Sequence, residues 1–250
     1  MKNIYVNKPV LHSLIWLAIY LILNTITDNI AAAYDTDYNM VTAIPNLILA
    51  LICLIYLKST GISKEIGLLS KSTEKASVML YYISILALPF LNLFYGINTS
   101  LSPIEILFLI AMYSGVGFME EIIFRGLMFK ALTKKWNRFT VVAFISFTFA
   151  IGHIVSMIAV GLSGTDTILQ IINAFIVGLL FMMVILASGN LAVCVITHIL
   201  YNFLANISMV GYTHTEIIWI TSVITILYSV YLISRAINVK AYFSEENVKE

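Results

Sequence analysis

The amino-acid sequence predicts an all-α fold, a polytopic membrane helix bundle of about eight transmembrane helices. Composition is the first observation behind this prediction: 60% of the residues are hydrophobic and 11% are charged, whereas roughly 25% of a soluble domain is charged. The second observation is a series of apolar segments long enough to cross a bilayer. The third is that lysines and arginines fall on alternate connections between these segments.

A helix needs about 20 apolar residues to cross the hydrocarbon core of a membrane. Eight segments of the chain approach or satisfy this length. They cover residues 10–27, 40–57, 78–96, 104–125, 139–160, 168–187, 190–209 and 216–234. No long linker separates them, so residues 1–250 are expected to form a single membrane domain.

The first apolar segment also has some features of a signal peptide. Lys2 and Lys8 precede it, and a run of three alanines at 31–33 could mimic a cleavage site. Asp28 and the long stretch with interspersed polar residues before the alanines instead favour an uncleaved first helix. We therefore expect this segment to remain as a transmembrane helix.

The basic residues predict the orientation, because lysine and arginine favour the cytoplasmic side of a membrane. With the N-terminus inside, every lysine and arginine lies in a cytoplasmic piece, apart from Arg125 at the cytoplasmic end of the fourth segment. The outer connections carry Asp35, Asp37 and Asp166 instead. This predicts an N-in, C-in multi-pass protein, located in the plasma membrane if the source is bacterial.

The overall charge and the cysteines exclude other classes. A net charge of +1 gives no electrostatic basis for a nucleic-acid partner. Cys53 and Cys194 both lie in apolar segments, where they are expected to pack as small helix residues rather than to form a disulfide or a metal site. The lipid bilayer is the expected environment.

Two adjacent carboxylates close the fourth segment, where charge is costly unless it is paired or functional. Glu121 and Arg125 are four residues apart, so they share a helix face and can form an ion pair. Glu120 points about 100° away and has no such local partner. This makes Glu120 a candidate general base. The alternative is that these side chains end the helix and reach the interface.

Two further segments carry intramembrane polar residues. The fifth contains Phe149-x-x-x-His153, and the seventh contains His198-x-x-x-Asn202, with the last two on one face. The alternative is hydrogen bonding between packed helices. Helix rise puts Glu120 and His198 in the cytoplasmic half. His153 is expected deeper, unless the fifth segment starts below the membrane surface or tilts.

The ordered set of E-E-x-x-x-R, F-x-x-x-H and H-x-x-x-N on three separate segments resembles the CPBP family, the CAAX protease and bacteriocin-processing or Abi family. The resemblance covers about residues 104–206, which would be the catalytic helices. It implies a membrane-embedded endopeptidase with Glu120 as the catalytic carboxylate. Eukaryotic relatives remove the last three residues of prenylated CAAX proteins, and many bacterial relatives are associated with bacteriocin immunity or peptide maturation.

The resemblance and the residue types suggest water-mediated peptide hydrolysis. Glu120, helped by His153, would hold and deprotonate a water, and His198 and Asn202 would donate to the oxyanion. The Glu121–Arg125 pair would be structural. The expected substrate is a membrane-associated, hydrophobic or lipidated peptide.

A zinc ion is the open question about cofactors. Glu120, His153 and His198 are a plausible zinc ligand set, and the family is commonly labelled as metalloproteases. The same residues can act without metal, which is the interpretation we favour. The sequence alone leaves both open.

Two other functional classes compete with the protease. A non-catalytic membrane scaffold or immunity protein could keep the same helices and bind a partner. A transporter or channel could use intramembrane Glu, His and Arg as proton-relay residues, although no inverted repeat is evident.

Overall fold

The computed structural model describes residues 1–69, 80–154, 163–210 and 215–236, and helices dominate these ranges. An isolated antiparallel bridge joins Ile97 to Ser208. The α-helices are α1 Lys2–Asn7, α2 Pro9–Ala33, α3 Tyr38–Thr60, α4 Ile62–Glu65, α5 Leu80–Ala87, α6 Pro103–Glu121, α7 Phe129–Leu132, α8 Arg138–Gly152, α9 Gly164–Ser188, α10 Leu191–Asn206 and α11 Thr215–Ala236. A 3₁₀-helix covers Leu88–Leu93 and a π-helix covers Ile122–Met128.

Five of the described helices are long and apolar enough to cross a membrane, which confirms an integral multi-pass membrane protein. They cover Pro9–Ala33, Tyr38–Thr60, Pro103–Leu132, Gly164–Ser188 and Thr215–Leu232. The other predicted segments contain shorter apolar helices, at Ser84–Leu93, Arg138–Gly152 and Leu191–Asn206. The all-α class is therefore confirmed, whereas the count of eight spans and the N-in, C-in orientation stay predictions. Parts of the predicted segments, namely 78–79 and 155–160, lie outside the described residues.

Polar caps fix the starts of the helices that carry the motif residues. Ser102 and Glu105 form a capping box at the start of α6, in which Ser102 Oγ accepts from the Glu105 amide at 3.3 Å. Asn137 caps α8 by accepting from the Thr140 amide at 2.9 Å. Asn190 caps α10. These caps satisfy backbone amides that helix starts leave unpaired.

Glycines let α6 approach two neighbouring helices closely. A Cβ added at Gly115 would lie 2.5 Å from the backbone carbon of Asn46 in α3. One added at Gly117 would lie 2.9 Å from Ile199 Cγ1 in α10. Small residues of this kind permit close packing of membrane helices. Consequently α6 is held tightly between α3 and α10.

The helix that begins as α6 continues through the π-helix into α7, and its middle is the centre of the core. All seven residues of the π-helix are buried, including Arg125. π-Helical turns are rare and are frequently found at functional sites. The change of helix type begins directly after Glu121, so the acidic pair stands at the junction.

Candidate active site

A cavity of about 870 Å³ lies among α2, α6, α8, α9 and α10. Its wall is mostly apolar. The four residues predicted as catalytic all line it: Glu120, His153, His198 and Asn202. Three separate helices therefore bring the motif residues together on one surface, including His153, which helix rise alone had placed deeper.

The two adjacent glutamates face different surroundings. The side chain of Glu121 is completely buried and forms the expected ion pair with Arg125, at 3.1 Å between Oε1 and Nη1. The side chain of Glu120 is 17% exposed and lines the cavity. Of the pair, Glu120 is thus the carboxylate that a molecule in the cavity can reach.

His198 lies between both carboxylates. Its Nδ1 is 2.8 Å from Glu121 Oε1, and its Nε2 is 3.6 Å from Glu120 Oε2. Because a carboxylate accepts hydrogen bonds, Nδ1 is the nitrogen that donates to Glu121. Glu121 Oε1 therefore accepts from both Arg125 and His198, and the ring is fixed with Nε2 directed at Glu120.

Tyr20 is a site residue that the sequence analysis missed. It lies on α2 and is 8% exposed, and its hydroxyl donates a 2.8 Å hydrogen bond to Glu120 Oε1. A tyrosine in an apolar first helix carries no signal that distinguishes it from an ordinary packing residue. Only the tertiary structure identifies its partner.

Phe149 explains why the motif of the fifth segment has a phenylalanine four residues before the histidine. Its carbonyl oxygen lies 3.1 Å from His153 Nδ1, which makes Nδ1 the donor and leaves Nε2 for the cavity. The Arg125 guanidinium lies over the Phe149 ring in a cation–π contact, with its central carbon 3.9 Å from the ring centroid. The ring also contacts His153 and His198 edge-on. Phe149 therefore orients three of the polar side chains.

Asn202 and Asn206 continue the polar face of α10 along the cavity. Asn206 Nδ2 donates to the Asn202 backbone carbonyl at 2.9 Å. In the described ranges, no hydrogen bond joins the Asn202 amide group to the glutamates or histidines. This amide is consequently available to a molecule in the cavity.

The proposed zinc ligands do not form a ready coordination site. Among the described residues, no three His, Cys, Asp or Glu side chains are arranged so that they could hold a metal ion. His198 directs its nitrogens at the two carboxylates instead. Both histidines do have the second hydrogen-bond partner typical of metal-ligating histidines. Zinc dependence is therefore tested by chelation and metal analysis.

Residues 102–204 match the family model for type II CAAX prenyl endopeptidase Rce1-like proteins. The predicted CPBP resemblance is confirmed. The CPBP match covers Glu120, His153, His198 and Asn202 but less than half of the chain, and it leaves out α2 with Tyr20. No curated protein and no solved structure matches the chain. The family is one of membrane-embedded CAAX proteases, which supports a protease acting on a peptide substrate in the bilayer.

Proposed function

We propose that this protein is an intramembrane endopeptidase that hydrolyses a hydrophobic or membrane-associated peptide with a water activated by Glu120. The observation that carries this proposal is the different environment of the two glutamates. Glu121 is neutralised by Arg125 in the core, whereas Glu120 faces the cavity beside His198. A carboxylate held in this way can act as a general base.

The contacts of Glu120 suggest which of its oxygens takes the proton. Oε1 accepts from Tyr20, so Oε2 remains for a water. His153 Nε2, which the Phe149 carbonyl leaves unused, accepts the second hydrogen of that water. The water oxygen is then oriented for attack on the scissile carbonyl carbon.

The reaction balances without a further reactant. Glu120 takes a proton from the water as its oxygen bonds to the carbonyl carbon, which gives a tetrahedral intermediate. Protonated Glu120 then gives that proton to the leaving nitrogen as the C–N bond breaks. The products are a carboxyl-terminated peptide and a free amine, and Glu120 is restored.

The oxyanion needs donors, and α10 carries the candidates. The Asn202 amide faces the cavity without a partner among the polar motif side chains. His198 can donate through Nε2 when the ring carries both protons. Removing one oxyanion donor commonly costs about 10²- to 10³-fold in kcat.

The apolar cavity supports a hydrophobic or lipidated peptide as the substrate class. Its volume of about 870 Å³ is at the upper end of the range for ligand pockets. CAAX-type C-terminal processing and bacteriocin or peptide maturation both use substrates of this kind. A scaffold or immunity protein is the alternative, and it predicts that Glu120 is dispensable.

The test compares Glu120→Gln with the wild type. Purified full-length protein in lipid vesicles is incubated with prenylated and unmodified hydrophobic peptides, and mass spectrometry identifies new termini. The amide keeps the shape but removes the base, so cleavage should fall by about 10²- to 10⁴-fold. Glu105→Gln is the matched control, because Gln also completes the capping box at the start of the same helix. Full activity in folded Glu120→Gln would favour the scaffold.

A further inference from the structure

The cavity continues past Glu120 along one face of α2. Tyr20, Asn24 and Asp28 are spaced four residues apart on this helix, and all three line the cavity. Asn24 is hydrogen-bonded to Asn46, 3.0 Å from Asn46 Nδ2 to Asn24 Oδ1, and Asn46 packs against Gly115. Tyr20 contacts Glu120, and Asn24, one turn later on α2, connects through Asn46 to Gly115, which is earlier on α6. The two helices α2 and α6 therefore run antiparallel. Asp28 therefore lies beyond Glu120, toward the N-terminal end of α6.

Asp28 is an acidic group in a membrane helix, and the described residues give it no cationic partner. No lysine, arginine or histidine of the described residues forms an ion pair with it, and its side chain is only partly buried. The Asp28 carboxylate forms a hydrogen bond with Tyr38, which also lines the cavity. An intramembrane carboxylate usually has a charged partner or a functional role. The described part of the protein supplies no positive charge here.

The cavity also contains acceptors that have no partner. Three side-chain oxygens of lining residues have no hydrogen-bond partner in the described structure: Asp28 Oδ1, Gln170 Oε1 and Asn173 Oδ1. The Asn173 amide nitrogen is already used, since it donates to Tyr201 at 3.1 Å. A group that brings hydrogen-bond donors is the chemical complement of these acceptors, and at the Asp28 carboxylate a positively charged donor is the best complement.

The opposite end of the cavity has the reverse character. Beyond Glu120 in the other direction, Phe124, Met128 and Leu132 line an apolar arm at four-residue intervals. Among the described lining residues, Lys135 has a permanent positive charge; it follows these three and is exposed. A peptide that spans the cavity thus meets a negative charge at one end and a positive charge at the other.

We propose that Asp28 is a subsite for a cationic group of the substrate, a lysine or arginine side chain or a free amine, on the amino-terminal side of the scissile bond. This rests on the proposed endopeptidase function. Asp28 is eight residues from Tyr20, or about 12 Å along the helix at 1.5 Å per residue. An extended peptide covers that distance in roughly three or four residues at 3.3–3.6 Å each. Lys135 sets the direction, because it attracts the carboxyl-terminal side.

The test uses full-length protein in lipid vesicles and acetylated apolar peptides in which a single lysine is moved along the chain. Each lysine peptide is paired with a norleucine peptide of the same length and shape. Mass spectrometry gives the bond that is cleaved and the ratio of the two cleavage rates. The wild type should cleave the lysine peptide about tenfold faster when lysine stands three or four residues before the scissile bond.

Three variants examine the role of the carboxylate. Asp28→Asn should bring the lysine to norleucine ratio to about one, and Asp28→Glu should keep a lysine preference. Asp35→Asn is the matched control, because it removes a charge from the exposed loop after the same helix and should keep the wild-type ratio. A lysine preference that survives in Asp28→Asn, or one that lies after the scissile bond, would overturn the proposal.

A binding measurement separates this proposal from the proposed function. Glu120→Gln protein should bind the lysine peptide about tenfold more tightly than the norleucine peptide, and the added change Asp28→Asn should abolish the difference. If the wild type cleaves no peptide while this difference is present, the subsite stands and the endopeptidase fails. Equal binding of the two peptides refutes the subsite.

Discussion

The Tyr20 hydroxyl donates a 2.8 Å hydrogen bond to Glu120 Oε1 across 100 residues of sequence. This contact makes α2 part of the site, although α2 lies outside the segment that matches the family model. It also distinguishes the two oxygens of the carboxylate. One is held by Tyr20, and the other faces His198 and the cavity.

Replacing Tyr20 by phenylalanine should lower kcat with little change in KM. A hydrogen bond to a charged group contributes roughly 1.5–3 kcal/mol, so the expected loss in kcat is about ten- to hundredfold. The cause is that Glu120 Oε1 loses its donor and the carboxylate can rotate. Steady-state cleavage of one peptide by wild type and variant checks this expectation.

The chain provides a matched control for that change. Tyr5 donates a 2.7 Å hydrogen bond to Glu65, away from the cavity. Tyr5→Phe removes the same type of contact and should leave kcat as in the wild type. Equal losses in both variants would indicate a general effect on the N-terminal helices and would contradict the positioning role of Tyr20.

Glu121→Gln should destabilise the protein. Arg125 is completely buried and would lose its ion pair, and His198 Nδ1 would lose a charged acceptor. Removing one partner of a buried pair typically costs about 3–5 kcal/mol. We expect lower abundance and a lower melting temperature in detergent than for Glu120→Gln. A melting temperature of Glu121→Gln equal to that of the wild type would contradict a structural role for this pair.

Exhaustive chelation should leave the peptidase active. The described residues offer no three-ligand site, and the proposed mechanism uses Glu120 as the base. Metal analysis of the active, chelated protein should find less than one equivalent of zinc. A metalloenzyme would instead lose its activity on chelation and regain it when zinc is added. His153→Ala protein would then contain no zinc.

Surface labelling should establish the orientation. Cysteines introduced at Thr36 and Thr99 should react with an impermeant reagent added outside, and one at Lys135 should not, because basic loops stay in the cytoplasm. All three positions are exposed. The native Cys53 and Cys194 are completely buried, so little background labelling is expected from them. External labelling at Lys135 would reverse the predicted topology.

The Glu121–Arg125 pair shows how far local sequence rules reach. Four-residue spacing on a helix fixes which side chains share a face, so the ion pair could be predicted from the sequence. The apolar segments likewise gave the helical class, because hydropathy over a segment is a local property. The five long spans fall within or around segments predicted in this way.

Other features depend on tertiary placement, which spacing does not encode. Contact between His198 and Glu121 needs α6 and α10 to meet at one level, and glycine packing at Gly117 sets that level. The sequence could not give the depth of His153 in the membrane relative to Glu120 and His198. Rise along a helix gives depth only when the tilt of the helix is known. The π-helix after Glu121 has no recognised sequence signal.

The tight seating of α6 has a consequence for how a substrate enters. Gly115 and Gly117 bring α6 into backbone contact with α3 and α10. Because these helices are already in contact, α6 cannot move closer to either of them to widen the cavity. Under the proposed function, a peptide from the bilayer is therefore admitted by movement of one of the other walls, α2, α8 or α9. A crosslink between α2 and α8 that stops cleavage while Glu120 stays in place would identify these two helices as the walls that separate.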